Sequence, residues 1–213
     1  MQIDVFHDTV CPWCRIGKQH LKLALQQWTG EPVTVRYHTF FLNADLPPEG
    51  KEFRSHLLAK GGGRMTLQQF FDIPRERGAQ VGLTFNFEAI ERAPNTLLSH
   101  RLIAMTPEAQ RETMIDALYA AYFEHGRDIG DLETLAAIAG EVGLNAADIR
   151  QRLLTDEAQP EVLAEVRLAQ ELGVTGVPFF VVDNRIAFSG AQPPEFMLKV
   201  LNQALTQPRV SQP

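Results

Sequence analysis

The chain has 213 residues, of which 45% are hydrophobic, so it can form a sizeable core in one domain with a large insertion. With a net charge of −6 at pH 7 and no basic stripe among aromatic residues, it does not have the features of a nucleic-acid-binding protein. No apolar run reaches the roughly 18 residues that span a bilayer, so no membrane partner is expected.

The N-terminus favours a cytoplasmic protein. Met1 leads directly into Gln2–Phe6, without the basic and apolar regions of a secretory signal. In a cytoplasmic setting thiols are kept reduced, and a pair of closely spaced cysteines is more often catalytic or metal-binding than structural.

The first 40 residues predict a strand, a helix and a second strand. Gln2–His7 has the apolar residues of a buried strand, and helical spacing extends from Pro12 to Trp28. Asp8 and Thr9 are candidate caps for this helix, and a proline is tolerated in its first turn. Val33–Phe40 alternates and is rich in β-branched and aromatic residues. Together these elements predict a βαβ unit.

A long helical region follows a turn-rich loop that covers residues 43–50. Glycine, proline and capping residues divide it into seven predicted helices. They cover Glu52–Ala59, Thr66–Gln80, Ala93–Met105, Pro107–His125, Leu132–Val142, Ala146–Thr155 and Pro160–Leu172.

Strand signals return at the end of the chain. Gly176–Val182 and Arg185–Phe188 flank the turn residues Asp183 and Asn184, so the pair predicts a hairpin. A last helix is expected near Pro194–Leu205, and residues 206–213 are expected to form a frayed tail. The order βαβ, helices, ββα indicates an α/β fold.

Cys11 and Cys14, in the sequence Cys-Pro-Trp-Cys, are the only cysteines of the chain. Two residues at i and i+3 in the first turn of a helix lie within the distance that a disulfide requires. Cys11, at the positive end of the helix dipole, is expected to be the exposed thiolate that attacks. Cys14, one turn further in, is expected to be the shielded, resolving thiol.

Other roles for this pair are less favoured but stay open. A structural disulfide would close a very small loop and so remove little chain entropy. A zinc site would need two further ligands from His7, His20 and His38. Two inert thiols are the remaining alternative, and the prediction is that no metal is bound. His7 and His38 are otherwise expected to be structural residues of the strands.

The chain resembles the DsbA-like group of the thioredoxin superfamily, in its FrnE-like branch. The resemblance rests on Cys11–Cys14 with Ile16-Gly17, on Ala93–Thr96 with Ser99–Arg101, and on Gly173–Pro178 with Ser189–Gln192. It implies a thioredoxin-like fold interrupted by an all-helical insertion. The implied domains are residues 1–42 with 173–207, and the insertion 43–172.

The resemblance also implies further site residues. Pro178 would follow a cis peptide bond, whereas prolines at the start of a strand are usually trans. Val177 would offer its backbone to an extended peptide or thiol substrate. Pro12 and Trp13, between the cysteines, would contact substrate, with Trp13 as an exposed lid. Asn95 is either a further site residue or a helix cap.

Thiol–disulfide exchange is therefore the leading prediction, as a reductase, isomerase or oxidase of protein or peptide substrates. No cofactor is required, and glutathione is a candidate redox partner. Glutathione-dependent isomerases and kappa-class transferases are also similar but carry serine in place of Cys11, and a redox-linked chaperone is the third alternative. Arg15 is either a solvated helix residue or a cation that stabilises the Cys11 thiolate. A monomer and a homodimer both stay open.

Overall fold

A computed structural model describes residues 1–62 and 65–206. The strands are β1 (Gln2–His7), β2 (Thr34–Thr39), β3 (Lys51–Glu52), β4 (Arg92–Ala93), β5 (Phe179–Val182) and β6 (Ile186–Ser189). The helices are α1 (Pro12–Gln27), α2 (Phe53–Lys60), α3 (Leu67–Ala79), α4 (Leu97–Met105), α5 (Glu108–Phe123), α6 (Leu132–Glu141), α7 (Ala146–Leu153), α8 (Gln159–Glu171) and α9 (Pro194–Thr206). The predicted tail beyond Thr206 lies outside the described residues.

The main sheet has four strands in the order β2-β1-β5-β6. β1 is parallel to β2, whereas β5 is antiparallel to both β1 and β6. In the β5–β6 hairpin, Asp183 and Asn184 both have φ values of +53°, the left-handed conformation that a two-residue hairpin turn favours. The predicted βαβ and ββα units are thus confirmed, and the fold class is α/β.

Helices cover both faces of this sheet. Ile3 and Val5 point to the face that α1 and α9 cover, where they form a core with Phe180 and Val182. Phe6 points to the opposite face and packs with Ala169 of α8. This division follows from the alternation of side chains along a strand.

The insertion between β2 and β5 contains α2 to α8, but it is not all-helical as predicted. Its β3 and β4 strands pair antiparallel, with Lys51 opposite Ala93 and Glu52 opposite Arg92. Each strand has only two residues, too few to give an alternating pattern, and the pairing joins segments about 40 residues apart. Glu52 also caps α2, since its carboxylate accepts bonds from the N–H groups of Arg54 and Ser55.

The insertion and the cysteine pair share one hydrophobic core. Cys11, Cys14 and Ile16 belong to the same buried cluster as the aromatic residues of α3 and α5, among them Phe71 and Phe123. The insertion therefore covers the start of α1. The division into residues 1–42 with 173–207, and 43–172, stays a prediction, and residue 207 lies outside the described residues. In the described part of the chain, no helix is both long and apolar enough to cross a membrane.

Candidate active site

Cys11 is the residue that caps α1. Its Sγ accepts a hydrogen bond from the Cys14 N–H at 3.3 Å, and its own N–H donates to the Asp8 carbonyl at 3.1 Å. The sequence suggested Asp8 and Thr9 as caps of this helix. Neither side chain caps it, because both are hydrogen-bonded to the insertion instead. Pro12, in the first turn, has no N–H that would need a partner.

Both thiols are free and buried, with Cys11 3% exposed and Cys14 2% exposed. The prediction of a shielded Cys14 is confirmed, but the prediction of an exposed Cys11 is wrong. Cys11 is covered because the insertion packs over the start of α1, a long-range contact that local sequence does not reveal. It remains reachable through a cavity that borders its side chain.

The Val177–Pro178 peptide bond is cis, as the resemblance implies. The Cys11 thiol donates a hydrogen bond to the Val177 carbonyl, with a sulfur–oxygen distance of 3.7 Å. Gly17 on α1 permits this packing, since a Cβ atom there would lie 3.0 Å from Cγ of Pro178. The turn before β5 therefore forms a wall of the site.

An apolar cavity of about 380 Å³ opens beside Cys11. It lies between the start of α1, the turn before β5 and helices α2 and α3 of the insertion. Trp13 is 37% exposed at this cavity, in agreement with a lid position. The other side chains that define it include Pro12, Leu57, Phe70, Phe71 and Val177. His56 and Lys60 are the basic residues among its lining.

Asn95 has its amide group occupied within the insertion. Its Nδ2 donates to the Leu46 carbonyl at 2.7 Å, and its Oδ1 accepts from the Leu97 N–H at 3.0 Å. These bonds attach the loop before β3 to the start of α4. Thr96, not Asn95, occupies the N-cap position of α4, so Asn95 bonds the first N–H of the helix from one residue before the cap. Asn95 does not line the cavity beside Cys11 either.

Arg15 is neither solvated nor bonded to Cys11. It is 8% exposed, and its guanidinium donates to the Thr84 carbonyl at 2.7 Å and forms an ion pair with Glu124. Both partners lie in the insertion, so Arg15 holds α1 against it. The sequence position next to a CxxC pair suggested a role that the tertiary contacts do not support.

Behind the cysteines lies a set of buried polar residues, which we call the inner polar cluster. Its members are His7, Asp8, Thr9, Ser99, His100 and Tyr119, each at most 2% exposed. Sequence analysis missed this cluster. Its only local signal in the sequence is the run of three polar residues His7-Asp8-Thr9, which ends two positions before Cys11.

The inner polar cluster is held together by hydrogen bonds from the last residue of β1 and the two residues after it to the insertion. His7 Nδ1 lies 2.9 Å from the Tyr119 hydroxyl, and Thr9 Oγ1 lies 2.8 Å from Ser99 Oγ. Asp8 Oδ2 accepts from the Leu42 N–H at 2.7 Å, while its Oδ1 lies 3.3 Å from His100 Nε2. The buried polar side chains of this cluster are thus paired, which avoids the large desolvation cost of an unpaired buried polar group.

Burial dominates the ionisation of the inner groups. It raises the pKa of the Cys14 thiol well above its usual value, and the hydrogen bond and charge of Cys11 add to the rise. Burial likewise raises the pKa of Tyr119, and among neighbouring charges that of Cys14 contributes most. Burial lowers the pKa of His7 well below its usual value. Cys14 and Tyr119 are therefore protonated, and His7 is neutral, near pH 7.

The three histidines considered as zinc ligands have separate partners. His7 contacts Tyr119, His20 Nδ1 lies 2.9 Å from the Gln192 carbonyl, and His38 Nε2 lies 2.8 Å from Asp4. Within residues 1–62 and 65–206, no group of three or more His, Cys, Asp or Glu residues is placed to hold a metal ion.

The sequence model of the DsbA-like thioredoxin domain matches residues 2–202. The chain belongs to this family. The match agrees with the cis-proline beside the CxxC pair and with the helical insertion between β2 and β5.

Solved structures agree with the family assignment. The probable DsbA oxidoreductase SCO1869 of Streptomyces coelicolor is 31% identical, covers 100% of this chain and 93% of its own, and has a TM-score of 0.91. The cytosolic disulfide reductase DsbM of Pseudomonas aeruginosa, solved with GSH, is 20% identical over 97% of this chain and 100% of its own, with a TM-score of 0.62. A 2-hydroxychromene-2-carboxylate isomerase is 18% identical over 96% of both chains, with a TM-score of 0.65. The last two likenesses concern the fold alone.

Proposed function

We propose that this DsbA-like protein is a dithiol–disulfide oxidoreductase that reduces or isomerises disulfides of peptides and proteins in a reducing compartment. The observation that carries the proposal is the geometry of Cys11. Its sulfur caps a helix, accepts the Cys14 N–H at 3.3 Å and borders an apolar cavity. A helix N-terminus favours a thiolate, which is the nucleophile in disulfide exchange.

In the first step, the Cys11 thiolate attacks one sulfur of the substrate disulfide. A bond forms between Cys11 and that sulfur, the substrate S–S bond breaks, and the other substrate sulfur leaves as a thiolate. The N–H of Cys14 and the dipole of α1 stabilise the attacking sulfur before the reaction. The Val177 carbonyl and Trp13 border the path by which the substrate approaches.

In the second step, Cys14 resolves the mixed disulfide. Its sulfur bonds to Cys11, the bond between Cys11 and the substrate breaks, and the substrate leaves reduced. Burial and a raised pKa keep the Cys14 thiol protonated, so Cys11 is the better nucleophile of the pair for the first step. The two thiols therefore have different functions although they are one helical turn apart.

The substrates proposed are disulfides with an apolar side chain next to the reacting cysteine. A group attached to Cys11 must lie close to the cavity walls, which are formed by Trp13, Leu57 and Phe70. A volume of about 380 Å³ accommodates one large side chain and is within the range of small-ligand sites.

Glutathione is proposed as the reductant that regenerates the dithiol. The structure of DsbM with GSH is that of another protein with the same fold, and it supports this choice only by analogy. A cytoplasmic setting, where glutathione keeps thiols reduced, would favour net reduction or isomerisation over oxidation.

The deciding experiment compares two single-cysteine variants in insulin reduction with glutathione. Cys11→Ser should abolish the activity, since the nucleophile is lost. Cys14→Ser should form a stable mixed disulfide with the substrate at Cys11, which mass spectrometry detects. Undiminished reduction by Cys11→Ser would rule out the proposal.

A glutathione-dependent isomerase is the second candidate, because the cavity is large enough for a small ligand and the isomerase structure shares the fold. Related isomerases carry serine at the position of Cys11. Glutathione-dependent isomerisation that persists in Cys11→Ser would favour this function over disulfide exchange.

A further inference from the structure

The apolar cavity beside Cys11 changes in character from its interior to its mouth. Its interior is formed by aromatic side chains that are at most 7% exposed, among them Phe53, Phe71 and Phe87. Lys60, by contrast, lines the cavity from an exposed position at the end of α2. The cavity therefore suits a group that is apolar at one end and polar at the other.

The ammonium group of Lys60 is held at this mouth by hydrogen bonds. Its Nζ donates to Asn43 Oδ1 at 2.6 Å and to the Leu42 carbonyl at 3.3 Å. Leu42 and Asn43 follow β2 and line the cavity themselves. A lysine in the last turn of a helix commonly serves the carbonyl groups of that turn, but these bonds lead away from α2. An ammonium has three N–H groups, so one is left for a ligand.

The charge at the mouth is positive and is not neutralised by a nearby carboxylate. Among the residues that the structure describes, no acidic side chain lines the cavity, and both bonds of Lys60 are to neutral oxygen atoms. This is a local contrast, because the whole chain has 26 acidic and 20 basic residues. A positive charge beside apolar walls, which have a low dielectric constant, attracts anions.

His56 is the other basic residue of the lining, and it adds no charge at neutral pH. Burial lowers its pKa, and the positive charges of Lys60 and Lys51 lower it further. Its Nε2 lies 3.1 Å from Asn43 Oδ1, the oxygen that also accepts from Lys60. The positive charge that faces the cavity therefore belongs to Lys60.

A peptide attached to Cys11 would reach both parts of the cavity. An apolar side chain next to its cysteine would fill the aromatic interior, and the following residue would lie toward the mouth. A carboxylate there could accept the remaining N–H of Lys60 in a charge-assisted hydrogen bond. An ammonium group at the same place would be repelled.

We propose that Lys60 selects disulfide substrates in which an acidic residue follows the apolar residue next to the reacting cysteine, an inference that rests on the proposed function. Lys60 acts here as a specificity-determining residue. It binds the substrate carboxylate before Cys11 attacks and takes no part in forming or breaking the sulfur–sulfur bonds.

The test uses three tripeptides of the sequence cysteine–phenylalanine–X with blocked ends, in which X is glutamate, glutamine or lysine. Each is prepared as the mixed disulfide with 2-thiopyridine. The Cys11 thiolate of the reduced protein bonds to the peptide sulfur, the bond to the pyridyl sulfur breaks, and 2-thiopyridone leaves. Stopped-flow absorbance follows its release. Each rate is divided by the rate with dithiothreitol, which corrects for the intrinsic reactivity of the peptide.

The parent protein should react about threefold faster with the glutamate peptide than with the glutamine peptide, as expected for an exposed ion pair. The lysine peptide should react about threefold more slowly than the glutamine peptide. Both ratios should approach one in about 1 M sodium chloride, where the Debye length falls to about 3 Å.

Three variants of Lys60 separate its charge from its structural bonds. Lys60→Gln should bring the ratio of the glutamate to the glutamine peptide to about one. Lys60→Glu should invert the order of the three peptides, and Lys60→Arg should keep the parental order. Lys22→Gln is the matched control, since it removes the same charge from an exposed position on α1 that does not line the cavity. It should keep the parental ratios.

The outcomes distinguish this selectivity from the function on which it rests. Failure of the parent protein to release 2-thiopyridone from any peptide, or undiminished release by Cys11→Ser, would contradict disulfide exchange itself. Release at equal normalised rates from all three peptides would overturn the selectivity alone. A parental order kept by Lys60→Glu, or a preference lost equally in Lys22→Gln, would overturn the role of Lys60.

Discussion

The two sides of the cysteine pair differ sharply in character. Cys11 borders an apolar cavity formed by Trp13 and by helices α2 and α3, whereas Cys14 does not line that cavity and lies near Asp8 and Tyr119 of the inner polar cluster. The thiols are three residues apart at the start of one helix, and helix position alone predicts an exposed Cys11 and a shielded Cys14, whereas both are buried. The comparison teaches that the insertion, by packing against both sides of α1, gives the two sulfurs different environments and hence different functions.

Replacing Asp8 should have the largest effect on stability, because it removes buried hydrogen bonds of the inner polar cluster. Asp8→Ala leaves the Leu42 N–H and His100 without their buried partner, and we expect a loss of about 3 kcal/mol in the free energy of unfolding. Asp8→Asn retains an acceptor for Leu42 and should lose about 1 kcal/mol. Urea unfolding measures both values. Equal losses in the two variants would show that these bonds do not stabilise the polar side.

His38, on β2 opposite Phe6 of β1, should make stability depend on pH. Burial by itself lowers its pKa, but the hydrogen bond with Asp4 and the carboxylate of Glu165, 3.6 Å from Nδ1, outweigh burial and raise the pKa to about 9. The protonated form is thus favoured by folding, so its contribution is complete below about pH 6.5 and is lost as pH rises through 9. We expect the parent protein to lose about 2 kcal/mol over this window relative to His38→Gln.

Parallel urea titrations of the parent and His38→Gln between pH 6 and 9.5 measure that difference. A stability difference that grows with rising pH would contradict the paired state of His38.

Leu57→Gln should alter the apolar side without touching the polar one. Leu57 lines the apolar cavity and is half-buried, so a polar amide there weakens the binding of an apolar group. We expect the rate with a peptide disulfide that carries phenylalanine beside cysteine to fall about fivefold, and the rate with a serine-containing analogue to stay the same. Leu154→Gln, at a leucine 59% exposed and away from the cavity, is the control. An equal fall for both peptides would exclude an apolar subsite at Leu57.

Gly17→Ala should have the smallest effect and probes the wall between α1 and Pro178. The added methyl group would lie 3.0 Å from Pro178 Cγ and 3.3 Å from Phe180 Cζ. Overpacking then outweighs the better helix propensity of alanine, and we expect a net loss of about 1 kcal/mol in thermal or urea unfolding. Gly140→Ala in α6 meets only ordinary contact, at 3.4 Å, and should instead stabilise by about 0.5 kcal/mol. A gain in stability for Gly17→Ala would show that this wall can move.

Much of the fold could be predicted because its signals are local. The strand Gln2–His7 has its predicted bounds, and most helices of the insertion end within a few residues of the expected positions. Asp131 and Asn145 cap α6 and α7, as their positions before an acidic first turn indicate. The β3–β4 pair escaped prediction because two-residue strands have no periodicity and depend on a partner about 40 residues away.

The parts of the site that could not be predicted depend on contacts between distant segments. The exposure expected for Cys11 was wrong because helix position says nothing about what the insertion covers. Arg15 is held by Thr84 and Glu124, and neither partner can be identified from its position next to Cys14. The bonds of Asp8 and His7 to α4 and α5 escape the sequence for the same reason.

The sequence by itself determined the chemistry available to this protein: two thiols at the spacing of a disulfide, at the start of a helix, in an α/β fold. These properties depend on residue identity and on spacing within one or two turns of chain. Only the tertiary structure decided that both thiols are buried, that one borders an apolar cavity and that the other lies near a polar cluster. The reason is that burial and local polarity are set by side chains from the insertion, which lie 30 to 110 residues from the cysteines.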